Sequence, residues 1–140
     1  MPGMSLAVLT CMDSRLDACG FLDDLPRPRY LIRNAGGRAS EDALRSLAVV
    51  CAMGVECVLV IHHTNCAMAE HDEEELRAML PQRSDAEEVD FLTIVEPQEA
   101  LQADVDRIAG SPLLPAGLEV RGFVFDLQTR DLRLSSTATR

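Results

Sequence analysis

The sequence predicts an α/β fold: a mainly parallel sheet of about four strands, flanked by helices, with an antiparallel strand at its C-terminal edge. Three observations predict it. Short apolar runs alternate along the chain with segments of helical period, the pattern of strands joined by helical crossovers. The clearest run, Cys57 to Ile61, is continuously apolar and β-branched, as in a strand buried on both faces. A turn-like stretch, Gln128 to Asp131, links the last long strand to a short one, which adds a hairpin at the edge.

The elements follow in order. Ser5 to Thr10 is a first short apolar strand. Tyr30 to Ile32 is a second, ending in Arg33-Asn34-Ala35-Gly36-Gly37. A helix follows Ser40, a good N-cap, and Glu41 and Asp42 suit the positive end of its dipole. Leu44, Leu47, Ala48 and Cys51 make one apolar stripe, and Gly54 fits the C′ position. Cys57 to Ile61 is the third strand. Pro97 opens a helix that runs to Ala109, with Leu101, Val105 and Ile108 as its stripe and Gly110 as its stop. Val120 to Leu127 is a strand, and Leu132 to Leu134 the short last one.

A chain of 140 residues suits one domain spanning 1–140. Its net charge of −10 argues against nucleic acid or an anionic membrane, both of which need a basic footprint. All 13 basic residues are arginine, so a Schiff-base lysine and a P-loop lysine are excluded. Tryptophan is absent and tyrosine occurs once, leaving no base-stacking surface. The five cysteines are odd in number and not spaced as a disulfide scaffold. Leu6 to Leu9 is too short for a signal core and lacks a basic flank, and no run reaches transmembrane length. A cytoplasmic protein with reduced thiols is expected.

In such sheets ligands sit beyond the carboxyl ends of the strands. Three polar clusters lie there: Cys11 to Arg15, Arg33 to Gly37, and His62 to Cys66. Cys11 should therefore meet His63 and Cys66, whose His-x-x-Cys spacing lets one tight loop offer two ligands. Thiolate and imidazole are ligands that zinc favours, and three protein ligands leave a fourth position for water. Asp13 and Arg15 follow Cys11 at alternate positions and, in an extended segment, would point the same way. Asp13 could bind the metal itself as a fourth ligand, or pair with the arginine fork. Two thiolates neutralise a zinc dication, so activity should rise toward alkaline pH, above the value of about 7 typical of water in a three-histidine site.

At these residues the sequence resembles the β-class carbonic anhydrases. The match is Cys11-Met12-Asp13-Ser14-Arg15, then Arg33-Asn34-Ala35-Gly36, then His63-Thr64-Asn65-Cys66, in the family's order and spacing. Gly122 to Asp126 is similar to its final strand, and the likeness covers nearly the whole chain. The resemblance implies reversible hydration of carbon dioxide to bicarbonate by zinc-bound hydroxide. It implies zinc, one ion per chain, on Cys11, His63 and Cys66, with Asp13 and Arg15 as the gating dyad. It places the Ala35-Gly36-Gly37 backbone along the substrate pocket, and it implies a homodimer or higher homo-oligomer. The chain departs from the family in three ways: a short or absent N-terminal arm, Ala67 for a usual glycine, and His62 for another. His62-His63 resembles a small branch that includes a carbonyl sulfide hydrolase. Carbonyl sulfide or carbon disulfide is therefore an alternative substrate, and a silent zinc-binding module is a further alternative. A thiol redox role is disfavoured by the lack of Cys-x-x-Cys.

The remaining candidates have plainer readings. Cys51 and Cys57 read as core residues and Cys19 as structural. His62 reads as packed or hydrogen-bonded. His71 reads as part of a solvated helix start, with a proton-shuttle role as the alternative. Asp85 to Asp90 reads as a solvated acidic loop.

Overall fold

The computed structural model describes residues 5–26, 29–81 and 88–140. Half of the predicted acidic loop, residues 85–87, lies outside the described residues.

A five-stranded sheet in the order β2-β1-β3-β4-β5 forms the centre. Its strands are β1 (Leu6–Cys11), β2 (Arg29–Asn34), β3 (Cys57–His63), β4 (Glu119–Phe125) and β5 (Leu132–Thr139). The β1–β2, β1–β3 and β3–β4 pairs are parallel, and β5 returns antiparallel to β4. The predicted fold class therefore holds. β1 and β3, central in the sheet, are buried along their whole length, as their unbroken apolar runs require.

Alternation along the central strands sends side chains to two layers. Ala7 and Leu9 of β1 and Val58 and Val60 of β3 pack with helices α2 (Glu41–Ala52) and α5 (Pro97–Ala109). Leu6, Val8, Leu59 and Ile61 face the other way, onto Leu16 of α1 (Arg15–Cys19), Phe21, Ile94 and Phe125. Ser40 caps α2, its side chain accepting from Ala43 N at 3.2 Å. Gly122 marks close contact between helix and sheet, because a Cβ there would lie 2.9 Å from Val105 Cγ2.

Three strands are longer than predicted, β3 by its two terminal histidines, His62 and His63. β2 includes Arg33 and Asn34, because β1 runs on to Cys11 and pairs with Asn34. β5 reaches Thr139 through Ser135, Ser136 and Thr137, an edge strand whose polar residues carry little hydrophobic period. After β3 come the short helices α3 (Ala67–Glu70) and α4 (Glu73–Met79). Among the described residues, no helix is long and apolar enough to cross a membrane.

Candidate metal centre

The register of the central strands brings distant sequence segments together. Thr10 pairs with Ile61, and its hydroxyl donates to the Ile61 carbonyl at 2.7 Å, pinning the two strand ends. Cys11 is the last residue of β1, His63 the last of β3, and Cys66 the N-cap of α3. Asn65, at φ 56°, makes the sharp left-handed turn that lets Cys66 double back toward His63, a conformation that asparagine tolerates. One ligand atom from each of Cys11, His63 and Cys66 lies within 4.8 Å of the others. The two Sγ atoms are 3.9 Å apart.

The imidazole of His63 is fully buried and committed to one tautomer. Nδ1–H donates to the Thr64 carbonyl at 2.7 Å, which leaves a lone pair on Nε2. That Nε2 is buried with no hydrogen-bond partner. An orphaned lone pair facing two thiols is the donor set of a thiolate–imidazole metal site, with the backbone hydrogen bond orienting the ring. The electrostatics agree. The hydrogen bond from Cys66 holds the Cys11 thiol well below the ordinary range, against the opposing effect of burial, while the same contact and burial push Cys66 up. Burial alone would lower His63, but the neighbouring Cys11 and the Thr64 carbonyl outweigh it and raise it. The spot favours a cation.

Asp13 and Arg15 meet, though not by the expected route. The chain leaves the extended conformation after Cys11 and turns into α1 at Arg15, so the pair closes across a turn rather than along a strand. The Arg15 fork grips both carboxylate oxygens, Nη2 to Oδ2 at 2.6 Å and Nε to each oxygen at 3.1 Å. Its backbone N–H adds 2.9 Å to Oδ1. Nη2 also donates to the Asn65 carbonyl at 2.8 Å, tying the first ligand loop to the second. The Arg15 hydrogen bonds hold the Asp13 carboxyl down at about 2. Its Oδ2 stands 3.8 Å from His63 Nε2.

Ala35, Gly36 and Gly37 form a tight turn directly after β2, against the Cys11 strand end. Gly37 has φ +65°, and a Cβ there would lie 2.8 Å from the Thr10 carbonyl carbon and 3.0 Å from Cys11 N. Only glycine lets this turn approach the ligand strand so closely. Arg33, on β2, donates from Nε to the Cys11 carbonyl at 2.8 Å and from Nη2 to the Asp13 carbonyl at 2.9 Å.

The sequence profile of the carbonic anhydrase family matches residues 6–131. The chain belongs to the β-carbonic anhydrase family. It is 29% identical to β-carbonic anhydrase 1 of Mycobacterium tuberculosis, over 94% of this chain and 82% of that protein. It is 31% identical to a carbon disulfide hydrolase of Acidithiobacillus thiooxidans, over 92% of this chain and 71% of the relative. The crystal structure of a carbonic anhydrase from Streptococcus mutans superposes with a TM-score of 0.84 at 31% identity, covering 97% of this chain and 86% of the other.

This β-carbonic anhydrase family member also carries a buried ionic cluster that the sequence reading missed. Asp104, on α5, accepts from Arg38 Nε at 2.8 Å, from Ala39 N at 3.2 Å and from His62 Nε2 at 2.9 Å. Arg38 further donates to the Leu92 and Thr93 carbonyls at 2.7 and 3.1 Å. The cluster joins α5, the glycine turn and β3 just behind the ligands. One signal was present: Asp104 is a lone charge on the stripe of Leu101, Val105 and Ile108, and such a buried charge needs partners. His62 is hydrogen-bonded, as expected. His71 stays at the surface against Glu75, with Nδ1 3.1 Å from Oε2. Cys51 and Cys57 are buried in the core, and Cys19 is half-buried against it.

Proposed function

We propose that this family member catalyses the reversible hydration of carbon dioxide to bicarbonate. Cys11 Sγ, His63 Nε2 and Cys66 Sγ would hold one zinc ion per chain. Zinc bound there would supply Lewis acidity that makes water a nucleophile, at a pH above neutral because two thiolates already neutralise the dication. The observation that carries the reading is the state of Asp13. Its carboxylate is held on both oxygens by Arg15, outside the thiol–imidazole triad, which is the three-ligand arrangement of catalytic rather than structural zinc sites.

The residues divide the work. Thr64 fixes the His63 ring through its carbonyl. Asp13, ionised, accepts a hydrogen bond from the attacking water at Oδ2 and orients its remaining lone pair toward the substrate carbon. Arg15 keeps that carboxylate from swinging into the ligand set. The backbone of Ala35, Gly36 and Gly37 lines the space where a small linear substrate fits. We read the assembly as a homodimer or larger, supported by exposed Met12 beside the ligand loop and exposed Leu31 on the edge strand β2. Five free cysteines suit a reducing compartment such as the cytoplasm.

Carbonyl sulfide or carbon disulfide hydrolysis is the second reading, supported by the similarity to a carbon disulfide hydrolase. The test is stopped-flow carbon dioxide hydration across pH, on protein of measured zinc content, paired with sulfide release from both sulfur substrates. Hydration that rises toward alkaline pH is expected. Sulfide release without hydration would transfer the function to the sulfur substrates. Stoichiometric zinc with neither activity would leave a zinc-binding module.

A further inference from the structure

The helix α3 carries Cys66 at its N-cap, yet it is only four residues long. A single helical turn does not persist unaided, because nucleation costs more than its few hydrogen bonds return. Met68, buried in this turn, supplies outside support at two points. Its carbonyl lies beyond the helix's own ladder and accepts from Ile94 N at 2.7 Å. Its side chain meets the glycine turn, where a Cβ on Gly36 would lie 3.3 Å from Met68 Cβ and Cγ. Two residues along the chain from Cys66, Met68 is thus pinned between the glycine turn and the segment that ends at Ile94.

That segment is itself clasped. Residues 91–94 form neither helix nor strand and precede α5. Leu92 has φ 55°, a left-handed conformation that leucine rarely adopts. Backbone in that state persists only where its surroundings fix it. Glu73, the first residue of α4, accepts from Phe91 N at 2.8 Å through Oε1 and from Thr93 N at 3.1 Å through Oε2. Arg38 donates from Nη1 to the Leu92 and Thr93 carbonyls at 2.7 and 3.1 Å. A carboxylate therefore holds the strap by its amides, and a guanidinium holds it by its carbonyls. Burial pushes the Glu73 carboxyl up, but the bonds from Phe91 and Thr93 outweigh it and keep it below its usual value. Glu73 is then ionised at neutral pH, and the bonds it accepts are charge-assisted. One arm of the clasp starts at Arg38, next to the Gly37 that touches the Cys11 backbone, and the other starts on the helix that follows Cys66 and α3.

We propose that Glu73 and Arg38 are positioning residues of the metal centre. By clasping residues 91–94 from their amide and carbonyl sides they fix Met68, and through Met68 the turn that presents the Cys66 sulfur. Neither residue is itself a ligand. The inference rests on the reading of Cys11, His63 and Cys66 as metal ligands, not on which substrate is turned over, and its test does not read activity.

Glu73→Ala and Glu73→Gln are an informative pair, because Glu73 is partly exposed and the glutamine keeps one oxygen that can accept from one amide. Each protein is loaded with zinc or with cobalt(II). Zinc release to a chromogenic chelator is expected to quicken about tenfold in Glu73→Ala and by less in Glu73→Gln. The thiolate-to-cobalt charge-transfer bands, which read the geometry around the ion, should shift in folded Glu73→Ala and return toward native in Glu73→Gln. Arg38→Lys keeps a cation beside Asp104 but lacks the fork that reaches two carbonyls, and it should move release and bands in the same direction. Ile108→Ala, a core change at the far end of α5, is the control. It should lower the melting temperature and leave release and bands native. Native release and native cobalt bands in either Glu73→Ala or Arg38→Lys overturn the proposal, as does a control that releases zinc as fast as Glu73→Ala. Native protein that retains neither zinc nor cobalt would overturn the metal reading itself, and this proposal with it.

Discussion

Asp104→Asn keeps the shape of the side chain and removes its charge. In the native protein this carboxylate is 5% exposed and meets Arg38, which is 11% exposed. The variant leaves a buried guanidinium without its counter-charge, and breaking such a pair costs about 3–5 kcal/mol. Two carbonyls, of Leu92 and Thr93, still accept from Arg38, and the asparagine oxygen can accept one bond. The expected loss is therefore at the low end, about 3 kcal/mol, and a melting temperature lower by roughly 6–12 °C for a chain of this size. Asp104→Leu, which keeps no acceptor, should cost more. The pH dependence has a definite sign. Burial pushes the Asp104 carboxyl up, but the hydrogen bonds from His62 and Arg38 outweigh it and hold the group below its usual value. A depressed carboxyl stabilises fully above its unfolded value of about 3.9 and loses that stabilisation as pH falls through the folded value. Urea unfolding of both proteins from neutral pH downward should show a gap that is constant to about pH 5 and then closes. A gap under about 0.5 kcal/mol at neutral pH, the worth of a surface pair, would refute the reasoning, and so would one that is flat through the acid limb.

Asp13→Asn should cut carbon dioxide hydration about a hundredfold while zinc content stays stoichiometric, and unchanged turnover would remove Asp13 from the reaction. Gly37→Ala should destabilise by about 1–3 kcal/mol and lower the zinc bound per chain, because the new methyl meets the backbone of Thr10 and Cys11 at a left-handed position. Full stability with full zinc content would show that the turn relaxes freely. Chelation should abolish activity and lower the melting temperature, with both restored by added zinc; free zinc at a thousand times its dissociation constant stabilises by about 4 kcal/mol. A melting temperature indifferent to chelator would mean that the triad binds no metal tightly.

Much of the fold was legible because its central strands are plain. Cys57 to Ile61 has no polar residue to confuse its period, and Ser40, Pro97 and Gly110 punctuate their helices. The clustering of Cys11, His63 and Cys66 was legible because parallel strands put their carboxyl ends on one rim. What sequence could not supply was side-chain geometry. The Asp13–Arg15 pair forms across a turn rather than along a strand. Nothing local to Arg38 announces that it reaches Asp104 and two carbonyls of a remote segment. The polar second half of β5 was unreadable because an edge strand needs no apolar alternation.

The hydrogen bond from His63 Nδ1 to the Thr64 carbonyl joins a ligand to the residue next to it in the chain. It forms with the turn itself and requires neither cysteine. The choice of nitrogen is therefore made when the backbone folds, before any ion arrives. Metal capture then becomes a docking event on a finished ring, not a step that drags a tautomer change or a refolding loop behind it. Its rate should rise in proportion to free zinc, with no plateau set by a slow rearrangement of the protein.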